Sequence, residues 1–385
     1  MKKVMMLTTT AYMSERFNRN NIILLEEMGY EVHVVANFDK GNPTTKEVLE
    51  QFKVWIEDHH GKWISIPVTK SPADVSNNYK AYKQIIALIK EYNYEFIHCH
   101  TPVGGVLGRF VAHRTCTKVI YTAHGFHFFT GAPLLNWMLY YPVERFLSRW
   151  TDMLITINQE DYNRAKKSFH AKRTEYIPGV GIDTDKYILC DVDRDAMRDS
   201  LGISTEDFVI ISVGEVNRNK NHEVVIRAIA QMHNPVIKYI ICGEGALKEY
   251  LLELCEKLEI KNQVFILGYK SEVKDYLHIA DVFAFPSKRE GLGLAALEAM
   301  ASGLPLIASN IHGIKDYLEE GVTGCGIMPN SEESVCEAIV KMYNDKEFRE
   351  KCISNNLEYV KKFDIANSSK RMEQLYNLEE KMENM

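Results

Sequence analysis

Two carboxylates eight residues apart frame a glycine-punctuated stretch, Glu290-Gly291-Leu292-Gly293-Leu294-Ala295-Ala296-Leu297-Glu298. The glycines, followed by the strong helix formers Leu294 to Met300, predict a turn that opens a helix. Such a turn gathers backbone N–H groups and the positive end of a helix dipole at one spot, which suits a diphosphate. If both glutamates were helical they would stand about 12 Å apart at about 1.5 Å per residue. Acid/base pairs that cleave glycosidic bonds sit at roughly 5 to 9.5 Å, so these two are not expected to share one bond-breaking event. They suit the two hydroxyl-rich ends of one long ligand, a sugar and a ribose with a diphosphate between. The competing reading is a solvated charge ahead of a core helix.

Three further groups of residues carry possible chemistry. The string Gly214-Glu215-Val216-Asn217-Arg218-Asn219-Lys220-Asn221-His222 follows an apolar run and is cationic at Arg218 and Lys220. Those charges can neutralise a diphosphate leaving group. Four histidines, His98, His100, His124 and His127, follow or end two successive apolar runs. They read as a polar active-site floor, as satisfied core histidines or as zinc ligands, and no acidic or cysteine partner is spaced to complete a catalytic zinc set. Two D-x-D strings, Asp183-Thr184-Asp185 and Asp191-Val192-Asp193, fall in a linker and at a helix start, where capping explains them. No metal is expected, with Lys220, Arg218 and the helix dipole in its place.

The elements that must position these groups alternate strand and helix. Val4–Leu7 and Glu31–Ala36 read as strands around a helix from Phe17 to Met28, with Thr8–Asn20 as a loop. That loop lacks G-x-G-x-x-G and is not read as a dinucleotide site. Residues 37–62 read as polar and irregular, then a strand at Trp63–Val68 and a helix at Asn78–Tyr92. Phe96–His100 and Lys118–Ala123 are strands whose following loops carry the histidines at the same sheet edge. Ile177-Pro178-Gly179-Val180-Gly181-Ile182-Asp183 is breaker-rich and reads as an interdomain linker. Beyond it come the strand Phe208–Val213, the strand and turn Tyr239–Gly245, strands at Val264–Gly268 and Val282–Phe285, and charged amphipathic helices over 331–344 and 346–380.

The stretch EGLGLAALEAMASGLP, with its E-x7-E spacing, resembles the nucleotide-sugar site of retaining glycosyltransferases of family 4. The resemblance runs over essentially the whole chain. Gly243-Glu244-Gly245 matches the family's G-x-G. Lys220 matches its lysine, and Glu215 stands where arginine is usual, with Arg218 as the substitute. YTAHGFHFF followed by NWMLYYPVERFLSRWTDMLITIN is similar to the branch that builds capsular and exopolysaccharide repeat units. The resemblance implies an α/β protein of the GT-B fold, two Rossmann-like doubly wound domains facing a central cleft. Its implied bounds are an acceptor-binding domain over 1–180, a nucleotide-sugar domain over 181–365 and a C-terminal helix over 366–385 that crosses back to the first domain. It implies His124, Glu290 and Lys220 as catalytic, with Arg218, Gly243, Gly291, Leu292, Gly293, Leu294 and Glu298 on the donor. His100, His127 and Phe128 are the acceptor-side candidates.

At 385 residues with 46% hydrophobic and 25% charged, the chain has the composition of a globular protein of two domains. No apolar run approaches the roughly 18 residues a membrane span needs. Eight scattered cysteines without C-x-x-C predict reduced thiols in a cytoplasm. The net charge of −6 conceals an asymmetry: through Gly179 there are 22 Lys and Arg against 17 Asp and Glu, and after it 24 against 35. A basic half and an acidic half argue against nucleic acid and permit the first half to face anionic lipid. Lys2, Lys3, Arg109, Arg114, Lys118, Lys166, Lys167, Lys172 and Arg173 are the candidate cations, and exposed rings at Phe128 and Phe129 the candidate apolar contacts. Leu139, Val143 and Phe146 read rather as core. The expected activity is sugar transfer with retention and without metal or cofactor, from a UDP-linked nucleotide sugar to a polyprenyl-diphosphate-linked saccharide, at the inner face of the cell membrane. A nucleotide-sugar 2-epimerase and a non-catalytic partner subunit are the alternatives.

Overall fold

The computed structural model describes residues 1–188 and 191–381, and divides them into two compact units. One comprises 1–180 with the chain beyond 366, the other 181–365. The first is built on seven parallel strands: β1 Lys2–Thr10, β2 Tyr30–Asn37, β3 Lys62–Ser65, β4 Phe96–His100, β5 Lys118–Ala123, β6 Met153–Thr156 and β7 Arg173–Tyr176. Their order is β3-β2-β1-β4-β5-β6-β7. The second has six: β8 Phe208–Val213, β9 Ile237–Cys242, β10 Val264–Gly268, β11 Val282–Phe285, β12 Leu306–Ser309 and β13 Gly324–Ile327, in the order β10-β9-β8-β11-β12-β13. Both are Rossmann-like doubly wound sheets. Their strands are buried on both faces, which is why they read as continuous apolar runs such as Phe208-Val209-Ile210-Ile211.

In such sheets the order reverses between two central strands, and ligands gather outside the carboxyl ends there. The reversal falls between β1 and β4 in the first unit and between β8 and β11 in the second. Asp281, just ahead of β11, fixes the second pair. Its carboxylate accepts from the Val209 amide of β8 at 2.7 Å and from Arg198 at 2.9 Å.

Several elements differ from the sequence reading. Residues 37–62 are not irregular but contain a helix, Lys46–Asp58, whose Leu49, Phe52 and Ile56 are buried and whose Thr45 caps the Val48 amide. The expected loop Thr8–Asn20 is strand to Thr10 and then the helix Ala11–Phe17. Glu290 lies ahead of the helix Leu294–Ala301, so a helical rise does not relate it to Glu298. Phe128 and Phe129 are buried, whereas Leu139, Val143 and Phe146 are exposed, the reverse of the expectation. Arg109 is not a surface cation: it is buried beside Glu144, at 2.8 Å, over the ring of Tyr121.

The chain passes between the units at two points. Near them, within the second unit, Ile182 pairs with the segment Phe363–Ile365 through backbone hydrogen bonds of 3.0 and 2.9 Å. The helix Ile365–Lys381 then packs in the first unit, burying Met372, Leu375 and Tyr376, with Arg371 bound to Glu175 at 2.8 Å. The final positions of the expected terminal helix, 382–385, lie outside the described residues.

Candidate active site

Each unit places polar side chains at the reversal point of its sheet. In the second unit, the loop after β8 carries Lys220 and the loop after β11 carries Glu290. Their Nζ and Oε1 meet at 2.7 Å. Seventy residues of sequence separate them, and the adjacency of β8 and β11 brings them together. The loop before Lys220 is shaped by asparagines. Asn217 Oδ1 accepts from the amides of Asn219 and Lys220, both at 2.9 Å, a local turn that fixes the lysine's backbone. Asn219 then accepts the Lys288 amide at 2.8 Å and donates to the Arg289 carbonyl at 3.0 Å, and Asn221 donates to the Pro286 carbonyl at 3.2 Å. The two loops are thereby clamped to one another. Asn217, Asn219 and Asn221 were not among the sequence candidates; their alternation with Arg218 and Lys220 was the available signal.

The glycine turn follows Glu290 directly. Gly293 caps the helix Leu294–Ala301 in a left-handed conformation, φ +92°. A Cβ there would lie 2.6 Å from the ring of Phe285. Leu292 is buried, and its carbonyl accepts from the Tyr317 hydroxyl at 2.8 Å. This leucine therefore contributes backbone rather than side chain. Gly291 and Leu294 flank it at the mouth of the helix, and Glu298, also buried, sits one turn further in. Gly243 follows β9 so close to the loop after β8 that a Cβ would fall 1.8 Å from the Gly214 carbonyl oxygen. Arg218 takes a different position from Lys220: it lines a cavity of about 430 Å³ with Tyr250, Glu223 and Lys288. Asp193, from one D-x-D string, caps a helix by accepting the Ala196 amide at 3.0 Å, and Asp183 accepts from the Lys186 amide at 3.0 Å.

In the first unit the histidines form a chain. His98 Nδ1 meets the Tyr376 hydroxyl and its Nε2 the Thr122 hydroxyl, both at 2.8 Å. His100 Nδ1 faces His124 Nε2 at 3.0 Å, and His100 Nε2 faces the sulfur of Met6 at 3.2 Å. A thioether only accepts, so His100 carries its proton on Nε2. Its Nδ1 then accepts from the Nε2–H of His124, which leaves a lone pair on Nδ1 of His124. Burial lowers all three basicities, His98 to about 3 and His124 to about 4, with His100 well below its usual value. Neighbouring histidines lower His98 and His100 further. With basicities lowered this far the chain is neutral at physiological pH. His124 is half-buried on a narrow recess with Phe17, Asn20, Asn21 and Thr122.

The acceptor-side candidates fare differently. His100 is buried and acts on His124, not outward. Phe128 has no exposed surface, lying between Phe126, Trp137 and Tyr141, because the aromatic run folds inward over β5. His127 is half-buried and stacks on Tyr140 at 4.5 Å. Met6, Thr122 and Tyr376 were missed; nothing local in the sequence marks them.

Comparison with known proteins matches "Glycosyltransferase Family 4" over residues 14–186 and "Glycosyl transferases group 1" over 193–359. EpsD of Bacillus subtilis is 36% identical over 383 residues, covering 98% of this chain and 96% of that protein. The UDP-Gal:alpha-D-GlcNAc-diphosphoundecaprenol alpha-1,3-galactosyltransferase of Escherichia coli is 28% identical, covering 77% and 79%. Anabaena HepE, solved with UDP and glucose, superposes with a TM-score of 0.78 at 20% identity, covering 98% of this chain and all of that one, and shares the GT-B fold. With a nearly full-length relative above 30% identity and both halves matched, this chain belongs to the family 4 glycosyltransferases.

Proposed function

We propose that this glycosyltransferase moves a sugar from a UDP-sugar, with retention and without a divalent ion, to a polyprenyl-diphosphate-linked saccharide in the building of a capsule, exopolysaccharide or related glycan. The observation that carries the reading is the Lys220–Glu290 pair, held at the reversal of the second sheet and next to the opening turn of a helix. A departing diphosphate needs positive charge close by. Lys220 has three N–H donors, enough to keep Glu290 and still donate to a phosphate oxygen. The first-turn amides beyond Gly293 add the helix N-terminus. Glu290 is then the acceptor for hydroxyls of the transferred sugar, and Glu298 for those of the ribose. Gly243 gives the nucleotide a close backbone wall, and Arg218, exposed and lining a neighbouring cavity, becomes the second phosphate contact in place of the arginine that Glu215 replaces only by swinging its side chain toward Lys220. On the first unit, His124 offers a neutral Nδ1 to a sugar hydroxyl, and His127 is the remaining acceptor-side group.

The donor is assigned to the second unit, 181–365, and the acceptor to the first, 1–180. The E. coli relative's name, with its UDP-Gal donor and lipid-diphosphate acceptor, supports the substrate classes, as does HepE with UDP and glucose. Retention rests on the family resemblance. The place of action is the cytoplasmic face of the membrane, where a lipid-linked acceptor presents its sugar; among the described residues no helix is long and apolar enough to cross it.

The test is a panel of UDP-sugars with a detergent-solubilised polyprenyl-diphosphate-GlcNAc acceptor, followed by release of UDP and by NMR of the new anomeric centre. Acceptor-dependent UDP release with a retained anomer is expected, unchanged by EDTA. Conversion of the UDP-sugar to its 2-epimer without acceptor would replace this reading with the isomerase. No turnover with any donor would favour the non-catalytic subunit, and activity lost to EDTA and restored by Mn²⁺ would end the metal-free assignment.

A further inference from the structure

The helix Leu134–Leu147 has one side accounted for and one side not. Inward, Glu144 holds the buried Arg109 at 2.8 Å, while Trp137 and Tyr141 pack on Phe128 and Leu147 is buried. Outward, Leu134, Leu135, Met138, Leu139, Val143 and Phe146 are all exposed, Leu134 at 81% and Met138 at 74%. At 100° per residue those six positions fall within about half of the helix circumference. They form one continuous apolar face on a helix that already has its core contacts. Phe110, itself exposed, extends the face through Trp150, whose ring lies 5.2 Å from Phe110 and 4.8 Å from Phe146.

We propose that this face lies in the plane of an anionic bilayer surface and seats the enzyme on it. The inference rests on the membrane location proposed above and names the device. The charges around the face choose the occupant. The only acid of the helix, Glu144, is turned inward to Arg109, whereas Arg145 and Arg149 are exposed on the outward side. Arg145 donates to the Ser168 carbonyl, which brings the end of the helix Gln159–Ser168, with exposed Lys166 and Lys167, beside the face. Arg149 reaches over Phe146. An apolar stripe edged by cations is the arrangement that inserts at lipid headgroups. Each such cation multiplies partitioning to an anionic surface by about five. A second copy of the chain is disfavoured: a two-fold contact places the same patch on both sides, and this patch has arginines with no acid to meet them.

The helix cannot span. Its 14 residues cover about 21 Å against a hydrocarbon core of about 30 Å. It lies flat, and Pro142 falls on its outward arc, where the ring faces lipid rather than the core.

The experiment is flotation of the full chain with phosphatidylcholine vesicles, with and without phosphatidylglycerol, across a salt series. The wild-type protein is expected to float with the anionic vesicles, and less so as salt rises. Leu135→Glu with Met138→Glu should abolish flotation, leave the thermal midpoint unchanged because both positions are exposed, and leave transfer to detergent-solubilised acceptor unchanged. Leu134→Glu provides a second variant should the double one misfold. Arg145→Ala with Arg149→Ala should retain weaker binding with a shallower response to salt, Lys166 and Lys167 remaining beside the face. Wild-type protein that stays at the bottom of the gradient at low salt would overturn the proposal, as would unaltered flotation of the glutamate variants. So would a wild-type dimer by light scattering that the glutamate variants dissociate, which would assign the face to a second copy. Flotation needs no UDP-sugar, so failure of transfer in detergent by the wild-type enzyme would count against the proposed activity alone.

Discussion

Lys220 and Glu290 neutralise one another at 2.7 Å in a partly enclosed setting, and removal of either leaves its partner's charge without that contact. Glu290→Ala should lower turnover far more than it weakens donor binding, by roughly ten- to a thousandfold, because its contacts strengthen as charge develops on the sugar. Glu298→Ala should chiefly raise the dissociation constant for UDP, read by calorimetry. Equal effects on both constants in both variants would remove the distinction between the sugar and ribose ends. The histidine chain makes a prediction about pH. His98 and His124 hold folded-state pKa values of about 3 and about 4, through burial, and His100 is lowered in the same direction. Unfolded, each titrates near 6.5. Below that pH the unfolded chain binds more protons than the native one, so stability falls with acid, by up to about 1.4 kcal/mol per pH unit per histidine. The urea midpoint should drop between pH 7 and pH 5, and His98→Gln should reduce that slope by about one histidine's share.

At the scale of elements, the glycine turn and the helix behind it were plain in the sequence, because Gly291 and Gly293 precede an unbroken run of helix formers. The turn is also demanding. Gly293→Ala must hold φ near +92° and press a methyl group into Phe285, a cost of about 1 to 3 kcal/mol readable as a lower thermal midpoint. The helix Lys46–Asp58 was hidden for a different reason: its buried positions, Leu49, Phe52 and Ile56, keep helical spacing but are diluted by Lys46, Glu47, Glu50 and Lys53. The reversal at Phe128, Phe129, Leu139, Val143 and Phe146 has a third cause. The helix Leu134–Leu147 carries apolar residues on both its inward and outward sides and so reads as buried; only the path of its neighbours, including the chain ahead of it that folds Phe128 inward, decides which side meets protein. Local pattern likewise could not reveal that Lys220 and Glu290 meet, since that depends on the order β9-β8-β11 rather than on either loop. The histidine loops could be placed at one sheet edge from β4 and β5 alone, whereas the roles of Met6 and Tyr376 required residues from opposite ends of the chain.

At the scale of the molecule, the first unit is discontinuous in sequence and the second is not: residues 181–365 sit between the two parts of the other. Tyr376, in the closing helix, supplies the hydroxyl that His98 binds at the centre of the first sheet. Truncation after Ile365 should therefore destabilise the first unit selectively, with loss of protection from hydrogen exchange at β4 and little change in β8 and β11. Equal protection of both sheets after truncation would contradict this. The same chain path sets an order of manufacture. On a ribosome, which releases the amino end first, the seven-stranded sheet emerges early but waits for the helix Ile365–Lys381 until the whole of 181–365 has been made. The inserted unit, continuous over its whole length, can close on itself sooner. The half of the enzyme made first is thus the half finished last, and its exposed apolar helix is already outside the tunnel during that wait.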